Sequence, residues 1–294
     1  GSSFDNVTSP IETNLYGITF GNNTFVGVGD SGKIVRSTDN GSSFENVTSN
    51  TSNLLYGVTF GNNTFVAVGT DGNIVRSTDN GSSWDNATSP IGTYLYGNTF
   101  GNNTFVGVGS GGKIVRSTDN GTNWDNSTSP TGNGLYGVTF GNNTFVAVGQ
   151  SGKIVRSTDN ASSWDNATSG ITDRLEGVTF GNNTFVGVGN SGNIVRSTDN
   201  GSSFNNATTD NSTTNILLGV TFGNNTFVAV GYYGNIVRST DNGSSFDNVT
   251  SPTANNLFGV TFGNNIFVGV GVSFWFGGGG SIGNIVRSTD NGSS

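Results

Sequence analysis

Short apolar runs alternate with turns rich in glycine and asparagine along the whole chain. Residues 64–68, for example, read Thr-Phe-Val-Ala-Val, and residues 73–76 read Asn-Ile-Val-Arg. β-Branched and aromatic residues favour strands, while Gly, Asn and Asp at intervals of six to ten residues favour tight turns. The pattern therefore predicts short β-strands joined by tight turns, and nothing in it indicates a helix.

The runs belong to a repeat of about forty residues. In the second copy the pattern predicts strands A, B, C and D at residues 55–60, 64–68, 73–77 and 83–88. Four short strands without an intervening helix are typical of a propeller blade and not of a helical solenoid. Each copy carries one Gly-Asn-Asn turn, which begins at Gly21, Gly61, Gly101, Gly141, Gly181, Gly223 and Gly263.

Seven copies predict an all-β fold, a seven-bladed β-propeller with four antiparallel strands per blade, which occupies residues 1–294 as a single domain. The chain begins inside a hairpin. Residues 3–6 resemble a strand D without its strand C, and residues 284–291 resemble a strand C without its strand D. Pairing of these two segments would close the ring and leave no open edge in that blade. The alternative is that the seven units are cut from a longer array.

The turn between strands C and D carries a second recurrent motif. Residues 77–84 read Ser-Thr-Asp-Asn-Gly-Ser-Ser-Trp, which matches the pattern S-x-D-x-G-x-x-W. By this motif the chain resembles the Asp-box (BNR repeat) propellers, a family that includes sialidases, sortilin-like receptors, some glycanases and photosystem assembly factors. The resemblance implies a propeller but no particular function. The box aspartates are Asp39, Asp79, Asp119, Asp159, Asp199, Asp241 and Asp290.

We expect these aspartates to be structural. A carboxylate in this turn can accept hydrogen bonds from turn amides while the aromatic residue packs beneath the loop. A calcium site needs more oxygen ligands than one aspartate per loop supplies. The sequence therefore predicts no bound metal.

Catalytic chemistry lacks its usual residues. Cys, Met and His are absent, which removes thiolate nucleophiles, imidazole bases and most ligands of zinc, copper and haem. The resemblance to sialidases implies an arginine cluster and a tyrosine–glutamate pair, but Arg174 is the one unrepeated arginine, and the glutamates are Glu12, Glu45 and Glu176. We therefore predict no enzymatic activity and no cofactor, with an Asp-box glycosidase as the disfavoured alternative.

The chain is acidic, with a net charge of −8. This charge disfavours nucleic acid and anionic membrane surfaces as partners. No apolar run is long enough to insert into a membrane. A chain that begins Gly1-Ser2-Ser3 could lack an export signal that its precursor carried.

Differences among the copies collect on one predicted face of the disc. The A–B and C–D turns repeat almost unchanged, whereas the B–C and D–A connections vary. Because loops on a rigid scaffold carry recognition, we expect the face with the varying connections to bind a partner. The candidate binding residues are Glu12, Arg174, Glu176, Tyr232, Tyr233, Phe274, Trp275 and Phe276.

Three of these candidates lie in a long insertion, residues 272–281, between strands B and C of the last blade. The three aromatic residues are consecutive and stand on a glycine-rich arm. Such an arm could insert into a partner, plug the central channel or stack against a sugar. The alternative is that the arm folds back over the last blade.

The chain is dense in N-x-S/T triplets, which would suit N-glycosylation of an exported protein. Asn-Asn and Asn-Gly also suit hairpin turns, so the triplets could be by-products of turn chemistry. The candidate sites are Asn6, Asn22, Asn40, Asn46, Asn62, Asn80, Asn86, Asn102, Asn120, Asn126, Asn142, Asn160, Asn166, Asn182, Asn200, Asn206, Asn224, Asn242 and Asn248, with further triplets at Asn50 and Asn211.

We therefore predict a non-catalytic, extracellular or cell-surface propeller that serves as a structural, adhesive or self-assembling scaffold. Its varying face would contact a protein, a glycan or a second copy of the chain, and docking of the aromatic arm on a neighbour would generate filaments. The alternative is a soluble, lectin-like carbohydrate- or protein-binding module, multivalent through its repeated blades. A consensus-like sequence without function is a further possibility, against which the irregular loops argue.

Overall fold

The computed structural model describes residues 4–209, 215–273 and 282–292, and these form seven sheets with a four-stranded antiparallel core each. Strands A to D follow one another in six blades, while the last blade takes its strand D from the N-terminal segment. The predicted all-β, seven-bladed propeller is confirmed. No helix in the described part of the chain is long and apolar enough to span a membrane.

The strands have these bounds, in the order of blades 1 to 7. Strand A spans Leu15–Gly21, Leu55–Gly61, Leu95–Gly101, Leu135–Gly141, Leu175–Gly181, Leu217–Gly223 and Asn256–Gly263. Strand B spans Thr24–Gly29, Thr64–Gly69, Thr104–Gly109, Thr144–Gly149, Thr184–Gly189, Thr226–Gly231 and Ile266–Ser273. Strand C spans Ile34–Ser37, Ile74–Ser77, Ile114–Ser117, Ile154–Ser157, Ile194–Ser197, Ile236–Ser239 and Ile282–Ser288. Strand D spans Glu45–Val47, Asp85–Ala87, Asp125–Ser127, Asp165–Asn166, Ser203–Asn206, Ser245–Val249 and Asp5–Val7.

Short segments complete the elements. The two-residue strands Thr168–Ser169 and Thr208–Thr209 pair in parallel with strand D of the following blade. The B–C connections of the first six blades are single 3₁₀ turns, which span Asp30–Gly32, Thr70–Gly72, Ser110–Gly112, Gln150–Gly152, Asn190–Gly192 and Tyr232–Gly234. In blade 7 strands B and C instead continue as a hairpin as far as the pair Ser273 and Ile282.

The hydrophobic core lies between neighbouring blades. Strand B is buried along its whole length, because the adjacent blades cover both of its faces. Between blades 1 and 2, for example, Val26 and Ile34 pack against Phe65 and Trp84. The blades are therefore held together chiefly by burial of apolar surface between sheets.

Glycine determines how closely the inner strands approach the axis. The third residue of strand A in blade 1 is Gly17, where a Cβ atom would lie 2.6 Å from the carbonyl oxygen of Tyr56 in the next blade. No side chain fits at that distance. The glycine at this position lets the seven A strands converge on an axial channel of about 150 Å³.

Each Asp box is a hydrogen-bonded turn. In blade 2, Asp79 Oδ1 accepts hydrogen bonds from Ser77 Oγ at 2.8 Å and from Ser83 N–H at 2.9 Å, and Asp79 Oδ2 accepts one from Ser83 Oγ at 2.6 Å. The indole N–H of Trp84 donates to the carbonyl oxygen of Gly81. These hydrogen bonds hold the turn between strands C and D in one conformation. Among the described residues, no cluster of three acidic side chains could hold a metal ion.

The box hydrogen bonds lower the pKa of the aspartates. At Asp79, burial alone would raise the pKa of the carboxyl, but the hydrogen bonds from Ser83 and Ser77 outweigh it and bring the pKa to about 2. The same balance sets a pKa of about 2 at Asp39, Asp159 and Asp199. These carboxylates stay ionised at any pH near neutral.

A side-chain hydrogen bond, here called the amide clamp, joins successive blades. The asparagine after the box aspartate reaches the threonine that opens strand B of the preceding blade, as in Asn120 Nδ2 to Thr64 Oγ1 at 2.6 Å. At the boundary of blades 7 and 1, Ile266 replaces the threonine, and Asn40 accepts a hydrogen bond from Asn264 Nδ2. The other clamps are Asn80–Thr24, Asn160–Thr104, Asn200–Thr144, Asn242–Thr184 and Asn291–Thr226.

The chain ends close the ring in blade 7. Asp5 pairs with Arg287, and Val7 pairs with Ile285, in an antiparallel ladder. Phe4 is fully buried next to this ladder. The predicted pairing of the N-terminal strand D with the C-terminal strand C is confirmed.

The connections divide between two faces of the disc. On one face, which we call the variable face, each D–A connection packs on the B–C turn of the blade that follows it. An example is the hydrogen bond from Asp30 N–H to the carbonyl oxygen of Asn14. On the other, which we call the constant face, the A–B and C–D turns meet, as in the bond from Asn22 Nδ2 to Asn80 Oδ1. The seven box turns lie on the constant face.

Candidate binding site at the mouth of the channel

Seven side chains surround the mouth of the axial channel on the variable face. Each is the second residue of the repeated strand A motif, immediately before the glycine that lets the strands converge. With Arg174 and Tyr232 they line a cavity of about 420 Å³, a volume within the usual range of ligand pockets. The members of this mouth ring are Tyr16, Tyr56, Tyr96, Tyr136, Glu176, Leu218 and Phe258.

Five consecutive members of the mouth ring are aromatic and touch one another. From Phe258 through Tyr16, Tyr56 and Tyr96 to Tyr136, successive ring centroids lie 5.2, 5.6, 5.4 and 5.1 Å apart. The rings are tilted or edge-on, which is the arrangement that aromatic pairs prefer. We call this row the aromatic crescent.

Burial affects the ionisation of three tyrosines in the aromatic crescent. Burial raises the pKa of Tyr16, Tyr56 and Tyr96 above the usual value for a phenol. The hydroxyl of Tyr16 also donates to Asp30 Oδ1 at 3.0 Å and accepts a hydrogen bond from Asn14 Nδ2 at 3.2 Å. Tyr16, Tyr56 and Tyr96 therefore present uncharged aromatic faces, and the hydrogen bonds to Asn14 and Asp30 fix the orientation of Tyr16.

An ion pair interrupts the aromatic row. Arg174 Nη2 donates to Glu176 Oε2 at 2.8 Å, and the Arg174 guanidinium carbon lies 4.2 Å from the centroid of the Tyr136 ring. The Glu176 side chain is only 8% exposed, whereas that of Arg174 is 44% exposed. Burial alone would lower the pKa of Arg174, but Glu176 raises it. The guanidinium is therefore charged and held in one orientation at the edge of the cavity.

The structure brings together some of the predicted binding residues and separates others. Arg174, Glu176 and Tyr232 line the cavity. Tyr233 projects from the B–C turn of blade 6 and is 71% exposed, and Glu12 is exposed in a D–A connection away from the cavity lining. Phe274, Trp275 and Phe276 lie outside the described residues, as does the rest of the insertion 272–281 beyond Ser273.

Sequence reasoning missed the aromatic part of the mouth ring. Tyr16, Tyr56, Tyr96 and Tyr136 occupy the same place in the first four copies, and so resemble a structural constant of the repeat. The available signal was the departure from tyrosine at Glu176 and at Leu218, each of which stands immediately before the glycine of the same motif. A repeated position on the innermost strand becomes a site because seven copies of it converge on one axis.

Comparison with known families identifies the chain. A family model for the photosynthesis system II assembly factor YCF48 matches residues 2–286. The chain belongs to the YCF48 family. The matching model is of the BNR type, so the resemblance to BNR-repeat propellers is confirmed. The sequence alone did not single out YCF48 among those propellers.

Solved structures agree with the YCF48 fold. A structure described as YCF48 bound to D1 peptide has a TM-score of 0.76 at 17% identity and covers 98% of this chain and 95% of its own. YCF48 from Cyanidioschyzon merolae has a TM-score of 0.75 at 18% identity and covers 98% of both chains. The WD40 propeller domain of Doa1 has a TM-score of 0.73 at 13% identity, with 98% of this chain and 97% of that chain covered. No curated protein sequence matches the chain.

YCF48 membership overturns the predicted function and location. The matching family is that of a photosystem II assembly factor, and a similar structure is described as YCF48 bound to D1 peptide, so the extracellular or cell-surface scaffold, the lectin-like module and the filament were wrong predictions. The predicted partners, a glycan or a second copy of the chain, are likewise corrected, because the YCF48 structure in question contains a protein peptide.

The prediction of a glycoprotein was also wrong, and the backbone explains the misleading triplets. Asn62 and Asn63 have φ values of 47° and 57° in the A–B turn, and Asn80 has 63° in the box turn. Asparagine tolerates this left-handed conformation better than most residues. Repetition of these two turns, usually with serine or threonine after them, therefore accounts for the triplets of the A–B and box turns.

Proposed function

We propose that this protein assists the assembly of photosystem II by binding a polypeptide segment of one of its subunits in the channel-mouth cavity. Membership in the YCF48 family supports a role in photosystem II assembly. The YCF48 structure with a bound D1 peptide supports a peptide as the class of ligand. The observation that carries the proposal for this chain is the cavity itself, which combines five aromatic rings with one oriented guanidinium.

The chemistry of the cavity favours binding over catalysis. Its carboxylate, Glu176, is engaged by Arg174 and is buried, so it is poorly placed to accept a proton from a substrate. The tyrosine hydroxyls keep their protons because burial raises the pKa values of Tyr16, Tyr56 and Tyr96. A binding protein and not an enzyme is what this arrangement supports.

Binding of the D1 subunit by purified protein tests this proposal. We expect Tyr56→Leu combined with Tyr96→Leu to weaken the binding of D1 by about tenfold or more, because aromatic anchors in pockets dominate such interfaces. The matched control is Ser82→Ala, an exposed change in the box turn of blade 2 on the constant face, which should bind D1 normally. Equal binding by both variants would rule out the cavity as the site.

A further inference from the structure

The mouth ring departs from the symmetry of the repeat, and this departure gives the cavity a direction. Five ring positions are aromatic, but blades 5 and 6 place Glu176 and Leu218 there. The guanidinium of Arg174 lies where the aromatic crescent ends, over the face of Tyr136. A ligand in the cavity therefore meets aromatic faces on one side and hydrogen-bond donors on the other.

The aromatic crescent selects an uncharged group. Tyrosine faces attract planar apolar groups and also cations. Arg174 already occupies the cation position over Tyr136, at 4.2 Å from the ring centroid, so a ligand cation cannot stack on that face. A neutral planar side chain, that is an aromatic one, is the remaining complement of the crescent.

The donors of Arg174 select an uncharged acceptor. Glu176 binds both Nε and Nη2 of the guanidinium, and within the described residues no hydrogen bond engages Nη1. Because Glu176 neutralises the charge of Arg174 and the chain as a whole carries −8, the pair offers hydrogen bonds without a net positive field. A backbone carbonyl oxygen fits these donors better than a free carboxylate does.

We propose that the channel-mouth cavity binds an internal polypeptide segment, with one aromatic side chain in the aromatic crescent and a backbone carbonyl oxygen on Nη1 of Arg174. This inference rests on the proposed function and specifies its ligand. Glu176 is then a positioning residue, which holds the guanidinium over Tyr136 and balances its charge.

The repeat supplies variants that should fold. In blade 6 the residues equivalent to Arg174 and Glu176 are Ile216 and Leu218. The double variant Arg174→Ile, Glu176→Leu therefore copies a local sequence that the propeller already contains. Its thermal unfolding should match that of the parent protein, which separates loss of binding from loss of fold.

Short overlapping peptides that cover the D1 chain, acetylated and amidated at their ends, test the inference by fluorescence anisotropy. We expect the tightest peptide to contain an aromatic residue whose replacement by alanine weakens binding by about tenfold. The double variant should lose a similar factor. A free carboxylate at the end of the same peptide should give no gain.

Two outcomes would overturn the inference while leaving the proposed function intact. One is binding that survives replacement of every aromatic residue in the peptide, and the other is binding that requires a free terminal carboxylate. If no D1 peptide binds and intact D1 does not bind either, the proposed function fails together with the inference. If intact D1 binds through the cavity but no peptide does, a short internal segment is not the ligand and the inference fails alone.

Discussion

At the scale of single residues, Asn98 is a polar side chain at a position where the other blades have valine or isoleucine. It faces the axial channel where Val58, Val138 and Val178 stand in other blades. Its Nδ2 donates to the carbonyl oxygen of Val66 at 2.8 Å, but its Oδ1 is buried without a hydrogen-bond partner. An unsatisfied buried acceptor reduces the free energy of unfolding.

We therefore expect Asn98→Val to stabilise the protein by about 1 kcal/mol, since one unsatisfied acceptor is removed. Chemical denaturation of the variant and the parent measures the difference. The reverse change in the next blade, Val138→Asn, is the control and should destabilise. A less stable Asn98→Val variant would show that Asn98 contributes a contact beyond the one to Val66.

The box aspartates make the free energy of unfolding depend on pH in the acidic range. Asp39, Asp79, Asp159 and Asp199 have a pKa of about 2 in the fold, against an ordinary value of 3.8. Their contribution is complete above about pH 4 and is lost as the pH falls through about 2, because the unfolded chain binds protons first. We expect the denaturation midpoint to be level from pH 7 to 5 and to fall between pH 4 and 2.

A substitution in one Asp box tests whether the box hydrogen bonds cause this pH dependence. Ser83→Ala removes one hydrogen bond to Asp79, so NMR titration should show a higher pKa for Asp79 and an unchanged pKa for Asp159. A denaturation midpoint that stays constant between pH 4 and 2 would contradict the role of the boxes.

At the scale of elements, the amide clamp shows how one blade is fastened to the next. Asn120 and Asn40 have nearly the same backbone, with φ values of 62° and 60°. Asn120 donates to Thr64, but Asn40 faces Ile266 and makes no such bond. The two positions therefore differ chiefly in the clamp.

We expect Asn120→Ala to cost about 1 kcal/mol more than Asn40→Ala, which is the net contribution of one hydrogen bond. Any strain from alanine in the left-handed region is common to both variants and cancels. Equilibrium unfolding in urea gives the two values. Equal losses would show that the clamp contributes nothing to stability.

The strands could be predicted from the sequence, because propensity and turn chemistry agree in every copy. Strands A and B of blade 2 begin at the predicted Leu55 and Thr64. Strand D was predicted too long, since only Asp85–Ala87 pairs with strand C at the outer edge of the blade. The extent of an edge strand depends on its single neighbour, which a local pattern does not reveal.

At the scale of the whole molecule, closure of the ring decides what becomes a site. The sequence predicted closure because the end segments complement each other as strands C and D, and Asp5 does pair with Arg287. The mouth ring could not be found in the same way. Tyr16 and Tyr136 are 120 residues apart in the chain and share a cavity only after the seven blades have closed around an axis.

Site-specific photo-crosslinking tests the central claim, that a photosystem II segment binds at the channel mouth. p-Benzoylphenylalanine in place of Leu218 should fit, because the ring position holds Phe258 in the next blade. The same residue in place of Ser42, in the exposed box turn of blade 1 on the constant face, is the control. We expect D1 to crosslink to position 218 and not to position 42; crosslinks from position 42 alone would contradict a binding site at the mouth ring.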